Sequence, residues 1–309
     1  MRKTCLNSIF ELAKKDDRVL FLGSDLGSKT GDDFLKAFPE RFFMEGIAEQ
    51  NLIGMAAGLA MEGYIPYVNT IASFLTRRCL EQITVDLCLH DLPVRLIGNG
   101  GGLVYAPLGP THLAPDDFAL MRALPNMTIL APSDAVQMRA IMKQTLEWPH
   151  PIYIRLAKGG DPVVFPKKTK VEIGKAFSLR EGRHAMIITT GAMAHRALEA
   201  AETMGKKGLD CAVLHLHTVK PLDEAALLEA ASSFPLLVTI EEHSRIGGFG
   251  SAVAELLADR GPYPGPRLLR LALPDTFANH YGSQDEQLEV AGLQPRSIAK
   301  AVIKSLFGA

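Results

Sequence analysis

The residues best placed to do chemistry begin with a single carboxylate. Glu49 opens a small, apolar run from Ala48 to Ala60, just after Gly46 and the short apolar stretch Arg41 to Met44. The earlier stretch reads as the end of a strand, Gly46 as a sharp bend, and the later run as a helix with little polar surface. A carboxylate opening a buried helix is costly to ionise unless something bonds to it. Such a residue either complements the positive end of the helix or takes part in a reaction. Three other side chains have comparable settings. Phe74 sits near the start of a helix that follows a strand, as a core aromatic or as a platform for a ligand. His112 ends a loop running from Gly98, which carries glycines at 98, 100, 101, 102 and 109. A loop of that length in a compact domain is usually functional, with a capping or merely exposed histidine as the alternative. Arg155 lies within an apolar strand, where an unpaired guanidinium would be expensive; it must meet a carboxylate or an anionic ligand. All four fall at or near strand-to-helix connections, which places them along one rim of one sheet.

Other chemistries find no support. Gly247-Gly248-Phe249-Gly250 fails the dinucleotide fingerprint in every register, and Gly98-Asn99-Gly100 has Leu103 where the third glycine belongs. No GxxxxGK[ST] phosphate loop and no GxSxG nucleophile elbow occurs. Glu241-Glu242-His243 groups three possible ligands, but no second histidine lies at metal spacing, so no metal site is expected.

These residues need a sheet to position them. Val19 to Leu22, Ile65 to Val68, Val94 to Ile97, Met127 to Leu130 and Ile152 to Leu156 read as strands, with the turn Gly23 to Ser28 at the carboxyl end of the first. Helices are predicted over Asn7 to Lys15, Ser73 to Leu87, Ala114 to Leu124 and Asp134 to Leu146, where Asp134 and Gln137 have capping-box spacing. Continuous apolar strands alternating with helices predict a parallel sheet covered on both faces. Residues 157 to 172 break that rhythm with glycines, prolines and lysines. A smaller unit follows, with strands near 185–189, 211–216, 236–240 and 268–273 and helices near 194–204, 223–231, 251–259 and 297–306. The fold class is therefore α/β, with two doubly wound domains: 1–165, mostly parallel, and 173–309, joined by a linker at 166–172.

Composition agrees with a soluble protein: 309 residues, 47% apolar, 22% charged and a net charge of -1. That charge makes no electrostatic case for nucleic acid or an anionic membrane. No apolar run approaches the length of a spanning helix. The basic N-terminus leads into an amphipathic helix rather than a signal core, so a cytoplasmic location is expected. Cys5, Cys79, Cys88 and Cys211 are scattered and read as buried thiols.

Six segments, taken in order, resemble the C-terminal half of transketolases and of the related 1-deoxyxylulose 5-phosphate synthases. They are Gly46-Ile47-Ala48-Glu49-Gln50-Asn51, Thr70 to Phe74, Gly109-Pro110-Thr111-His112, Leu124 to Asp134, Pro151 to Leu156 and Glu241 to Glu255. The resemblance covers nearly the whole chain and implies a thiamine-diphosphate pyrimidine-binding domain followed by the transketolase C-terminal domain. It implies that Glu49 is catalytic, bonding the aminopyrimidine at the ring nitrogen para to the amino group. Sharing a proton there favours the imino tautomer, which takes the thiazolium proton and creates the ylid, chemistry that belongs to the cofactor. Phe74 matches the aromatic that stacks on the pyrimidine, with Ile71 and Gln50 beside it. His112 and Arg155 match residues that bind the substrate's phosphate or distal polar end, with Ser28 and Leu108 along the same path.

The resemblance also shows what is missing. The Gly-Asp-Gly triplet of the family's diphosphate-and-metal domain does not occur. The chain therefore resembles one subunit of a split transketolase, whose partner chain holds Mg2+ and the diphosphate, as a dimer of heterodimers acting on a sugar or sugar phosphate. Leu108 stands where transketolases usually carry an Asp that contacts sugar hydroxyls, Gln50 replaces a His, and Ile71 and Arg77 replace aromatics. Alternatives are a decarboxylating carboligase of the deoxyxylulose-phosphate-synthase type, a 2-oxo acid dehydrogenase beta-like subunit, or a non-catalytic scaffold.

Overall fold

The computed structural model describes residues 1–24, 31–157, 159–166, 169–279 and 281–308. The first sheet takes six strands from the first half of the chain: β1 (Val19–Gly23), β2 (Phe42–Met44), β3 (Ile65–Ile71), β4 (Arg95–Asn99), β5 (Thr128–Leu130) and β6 (Ile152–Leu156). They pair in parallel. The runs of β1 and β6 are buried at every position, as a strand covered on both faces requires. The second sheet contains β7 (Phe177–Arg180), β8 (Met186–Thr189), β9 (Ala212–His215), β11 (Leu236–Ser244) and β12 (Arg267–Leu273) in the order β12-β11-β8-β9-β7. Between β9 and β11 the chain gives a three-residue strand, β10 (Thr218–Lys220), to the edge of the first sheet, antiparallel to β5. That makes the first-sheet order β10-β5-β6-β4-β3-β1-β2.

The two sheets are not independent. One apolar cluster holds Leu22, Leu52 and Val68 from the first unit and Ile188, Leu216 and Leu237 from the second. Val164, Phe165, Val171 and Ile173, from the predicted linker region and its flanks, are bonded to the first unit. Asp134 Oδ2 accepts from the Val164 and Phe165 amides, and Gln144 bridges Val171 and Ile173.

Three local features differ from the sequence reading. The predicted helix at 73–87 forms two π-helical stretches, Phe74–Arg78 and Ile83–Cys88, around a single turn, Leu80–Gln82. π-Turns inside helices are frequent at functional sites. At the start of Ala135–Thr145, Asp134 caps as expected, but Gln137 reaches back to the Ser133 amide, one residue earlier than a capping box. The helix Glu49–Met61 buries Leu52, Ile53, Ala56, Ala57 and Ala60, yet leaves Asn51, Gly54 and Gly58 exposed. A Cβ added at either glycine would meet nothing within 4 Å.

Candidate active site

Because β1 to β6 are parallel, they deliver their carboxyl ends to one edge of the first sheet, the rim where ligands of open α/β sheets bind. The chain leaves β2, turns at Gly46 and starts the helix at Glu49, whose side chain is 2% exposed. Arg78 Nη1 donates to Glu49 Oε2 at 2.5 Å, and the same guanidinium lies 4.4 Å over the ring of Phe74. The ring of His112 meets Phe74 edge-on, centroids 5.1 Å apart. Two contacts pin the end of the glycine-rich loop to this segment. Ser73 Oγ donates to the Thr111 carbonyl at 3.4 Å, and Arg77 makes two bonds to Asp116 at 2.7 and 2.8 Å. Glu49, Phe74 and His112 thus form one group, joined through Arg78, which the sequence did not single out.

The other predicted site residues are placed differently. Gln50 is exposed, Ile71 is half-buried at the end of β3, and Leu108 is exposed on the short turn Ala106–Leu108. Ser28 lies outside the described residues. Arg155 stands in a buried network between the two units. Its Nε lies 2.8 Å from Asp117 Oδ2, without the alignment of a directed hydrogen bond, so the contact is an ion pair. Its Nη2 donates to the Glu242 carbonyl at 2.8 Å, and the guanidinium rests on Phe118. Of the two partners the bare sequence allowed for Arg155, a carboxylate or an anion, the structure shows the carboxylate.

That network absorbs the Glu241-Glu242-His243 triplet. Glu241 accepts the Phe249 and Gly250 amides at the start of helix Phe249–Arg260, while burial pushes its carboxyl up to about 7. Glu242 takes the Leu103 amide at 2.6 Å and the Gln284 amide group, fastening the glycine-rich loop to the second unit. Its pKa is also raised, first by burial. His243 stacks on Phe118, and its Nε2 accepts the Ala119 amide. The loop's glycines are needed here because side chains lie against its backbone. A Cβ on Gly101 would fall 2.2 Å from Arg155 Nε, and one on Gly102 2.7 Å from the Glu242 carbonyl oxygen. Repeated buried polar residues at the end of β11 were the available signal for this network, but their partners are distant in sequence.

Comparison with known proteins places this geometry. Residues 1–160 match the transketolase pyrimidine binding domain and residues 174–298 the transketolase C-terminal domain. The chain belongs to the transketolase family. It is 37% identical over 302 residues to the 6-deoxy-6-sulfo-D-fructose transketolase subunit SqwH of Clostridium sp. (strain MSTE9), covering 97% of this chain and 92% of that subunit. A solved split-gene transketolase, described as an inactive beta4 tetramer, superposes with a TM-score of 0.89 at 40% identity, covering 99% of this chain and 97% of the other. The 1-deoxy-D-xylulose-5-phosphate synthase 1 of Geobacter sulfurreducens is 38% identical over 298 residues, and the match spans 96% of this chain but only 46% of that enzyme.

Transketolase-family enzymes use thiamine diphosphate, and the residues present fit its pyrimidine end. Glu49 presents a buried carboxylate whose one hydrogen-bond partner among the described residues is Arg78. Phe74 is half-buried and offers an aromatic face beside that carboxylate. Among the described residues no group of three or more His, Cys, Asp or Glu could hold a metal ion, so the fit concerns the pyrimidine end alone. No helix among them is long and apolar enough to cross a membrane.

Proposed function

We propose that this chain is the pyrimidine-binding subunit of a split transketolase, moving a two-carbon ketol unit between sugar or sugar phosphate substrates. A partner chain would carry the diphosphate- and Mg2+-binding domain, as a dimer of heterodimers. The observation that carries the reading is Glu49, buried at the start of its helix with Phe74 and His112 grouped beside it, in a chain that spans 92% of a split transketolase subunit.

When bound, the cofactor would supply the nucleophilic carbon. The chain's own residues would prepare it. Glu49 would hold and share a proton at the pyrimidine nitrogen, and Phe74 would fix the ring plane by stacking. His112 would meet the polar end of the substrate, and Arg155 would support that path from behind the loop. Leu108 cannot accept a hydroxyl hydrogen bond, which favours a substrate whose hydroxyl at that position is absent or is read by the partner chain. We take the domains as 1–165 and 173–309, a division that the strand content of the two sheets supports apart from β10.

Calorimetry with thiamine diphosphate and Mg2+ tests the reading, on this chain alone and then mixed with the partner chain. Tight binding only in the mixture is expected, and Glu49→Ala should abolish turnover. Full activity of Glu49→Ala in the assembled enzyme would defeat the catalytic assignment. The synthase relative supports a second reading, decarboxylation of a 2-oxo acid followed by carboligation. Carbon dioxide release from pyruvate separates the two.

A further inference from the structure

We propose that Arg78 occupies the pyrimidine site of the empty chain and is displaced when the cofactor enters. The inference rests on the functional reading above. The Arg78 guanidinium makes both contacts assigned there to the aminopyrimidine: it donates an N–H to Glu49 at 2.5 Å and lies 4.4 Å over the Phe74 ring. A guanidinium is flat, presents N–H groups along its edge and stacks on aromatic faces, so it imitates an aminopyrimidine in shape and in bonding. Glu49 has reason to need such a stand-in. At 2% exposure its carboxylate would be left costly and unpaired in an empty site.

The three arginines nearest in role differ in how firmly they are held. Arg95 is fully buried and donates to the carbonyls of Thr145, Leu146, Trp148 and His150, so it cannot leave its place. Arg77 is held by two bonds to Asp116. Arg78 has one hydrogen bond among the described residues, to Glu49, and its side chain is 41% exposed. It can swing into solvent when a competing donor arrives. The π-turn Phe74–Arg78 places it four residues beyond the ring it covers, so the stacking platform and its temporary cover belong to one element.

A cover of this kind has two consequences. It keeps the start of the helix Glu49–Met61 and the Phe74 segment in working geometry before the cofactor arrives. It also lowers apparent cofactor affinity by the fraction of molecules whose site is open. If Arg78 fills the site in about nine molecules of ten, removing it should tighten binding roughly tenfold.

The experiment titrates thiamine diphosphate with Mg2+ into the full chain assembled with its partner chain, comparing the parent protein with Arg78→Gln and Arg78→Lys. The melting temperature of the unassembled chain is read alongside. Arg78→Gln should bind the cofactor roughly tenfold more tightly, while its unassembled chain melts below the parent and its loaded complex melts with it. Arg78→Lys keeps the charge without the flat stacked group, and should also bind more tightly than the parent, by less. Should Arg78→Gln fail to fold, Arg78→Lys decides by the same reading. Equal or weaker binding by the folded variants, with normal binding by the parent, overturns the inference: Arg78 would then be a permanent counter-ion at Oε2 or idle. Absence of binding by the parent complex removes the functional reading, and this inference with it.

Discussion

Replacing Asp117 with alanine should destabilise the chain by about 3–5 kcal/mol, the range for breaking one side of a buried ion pair. Asp117 is fully buried, and each of its oxygens is used. Oδ2 accepts the Tyr153 hydroxyl at 2.8 Å and faces Arg155 Nε at 2.8 Å, while Oδ1 accepts the Phe118 amide at 2.8 Å. Alanine leaves the Arg155 guanidinium, only 9% exposed, without its counter-charge. Tyr153 cannot compensate by ionising, because burial holds its pKa well above the usual phenol value. At about 2 °C per kcal/mol for a chain of this size, the melting temperature should fall by roughly 6–10 °C. The control removes the whole polar group. Asp117→Leu, Tyr153→Phe and Arg155→Met together replace it with apolar side chains of similar bulk, which often costs little. The triple variant should recover most of the loss, although the single change is smaller. Thermal and urea unfolding followed by circular dichroism, at matched protein concentration, reads both. A melting temperature for Asp117→Ala within about 1 °C of the parent, or a triple variant no better than it, would refute the reasoning.

Glu241 sets a pH dependence. Its carboxyl is raised from 4.5 to about 7, so its protonated form is favoured in the fold, and the stability this contributes is lost as pH rises through about 7. Relative to Glu241→Gln, the parent should lose roughly 2–3 kcal/mol between pH 5 and pH 8; a difference that stays flat in urea titrations would count against it. Gly101→Ala should cost about 1–3 kcal/mol, the range for overpacking a core. Its Cβ would fall 2.2 to 2.7 Å from Arg155 Nε, Cγ and Cδ, and a neutral result in thermal unfolding would mean that Arg155 can move. Leu108→Asp should raise kcat/KM for ordinary pentose phosphates roughly tenfold, the worth of one recovered hydrogen bond to a charged group. Unchanged relative rates for sugars with and without the hydroxyl would discard Leu108 as a specificity residue.

Most of the fold was legible because its strands are continuous apolar runs with helices between them, and burial of both faces of a parallel sheet imposes that pattern. β7 and β10 were not. Phe177–Arg180 is an edge strand with no buried position, and Thr218–Lys220 is only three residues long, so neither carries a period. Glu49, Phe74 and His112 could be singled out from their places near strand ends, although only the family resemblance gave them roles, and the structure groups them. Arg78 could not, because an arginine on a predicted helix reads as solvated surface, and only the π-turn brings it onto Phe74 and Glu49. Asp117 was hidden for another reason: its partners lie 36 to 38 residues away, a separation no local pattern encodes.

On the proposed reading, little of the cofactor's affinity can arise in this chain. The pyrimidine end offers one carboxylate and one aromatic face. A hydrogen bond to a charged group contributes about 1.5–3 kcal/mol and an aromatic stack about 0.5–1.5 kcal/mol. Even before the cost of immobilising a ligand, that sum falls short of the roughly 8 kcal/mol behind a micromolar dissociation constant. On the proposed reading, this chain therefore supplies orientation and the proton, while the diphosphate anchored in the partner chain supplies most of the binding. Cofactor binding and subunit association are then linked, and linkage is reciprocal: whatever factor the partner adds to cofactor affinity, the cofactor must add to the affinity between the chains. Sedimentation of the mixed chains with and without thiamine diphosphate and Mg2+ measures that factor. Association that is unchanged by the cofactor would mean, by the same cycle, that the free chain binds the cofactor as tightly as the complex does, and that the two chains do not share the site.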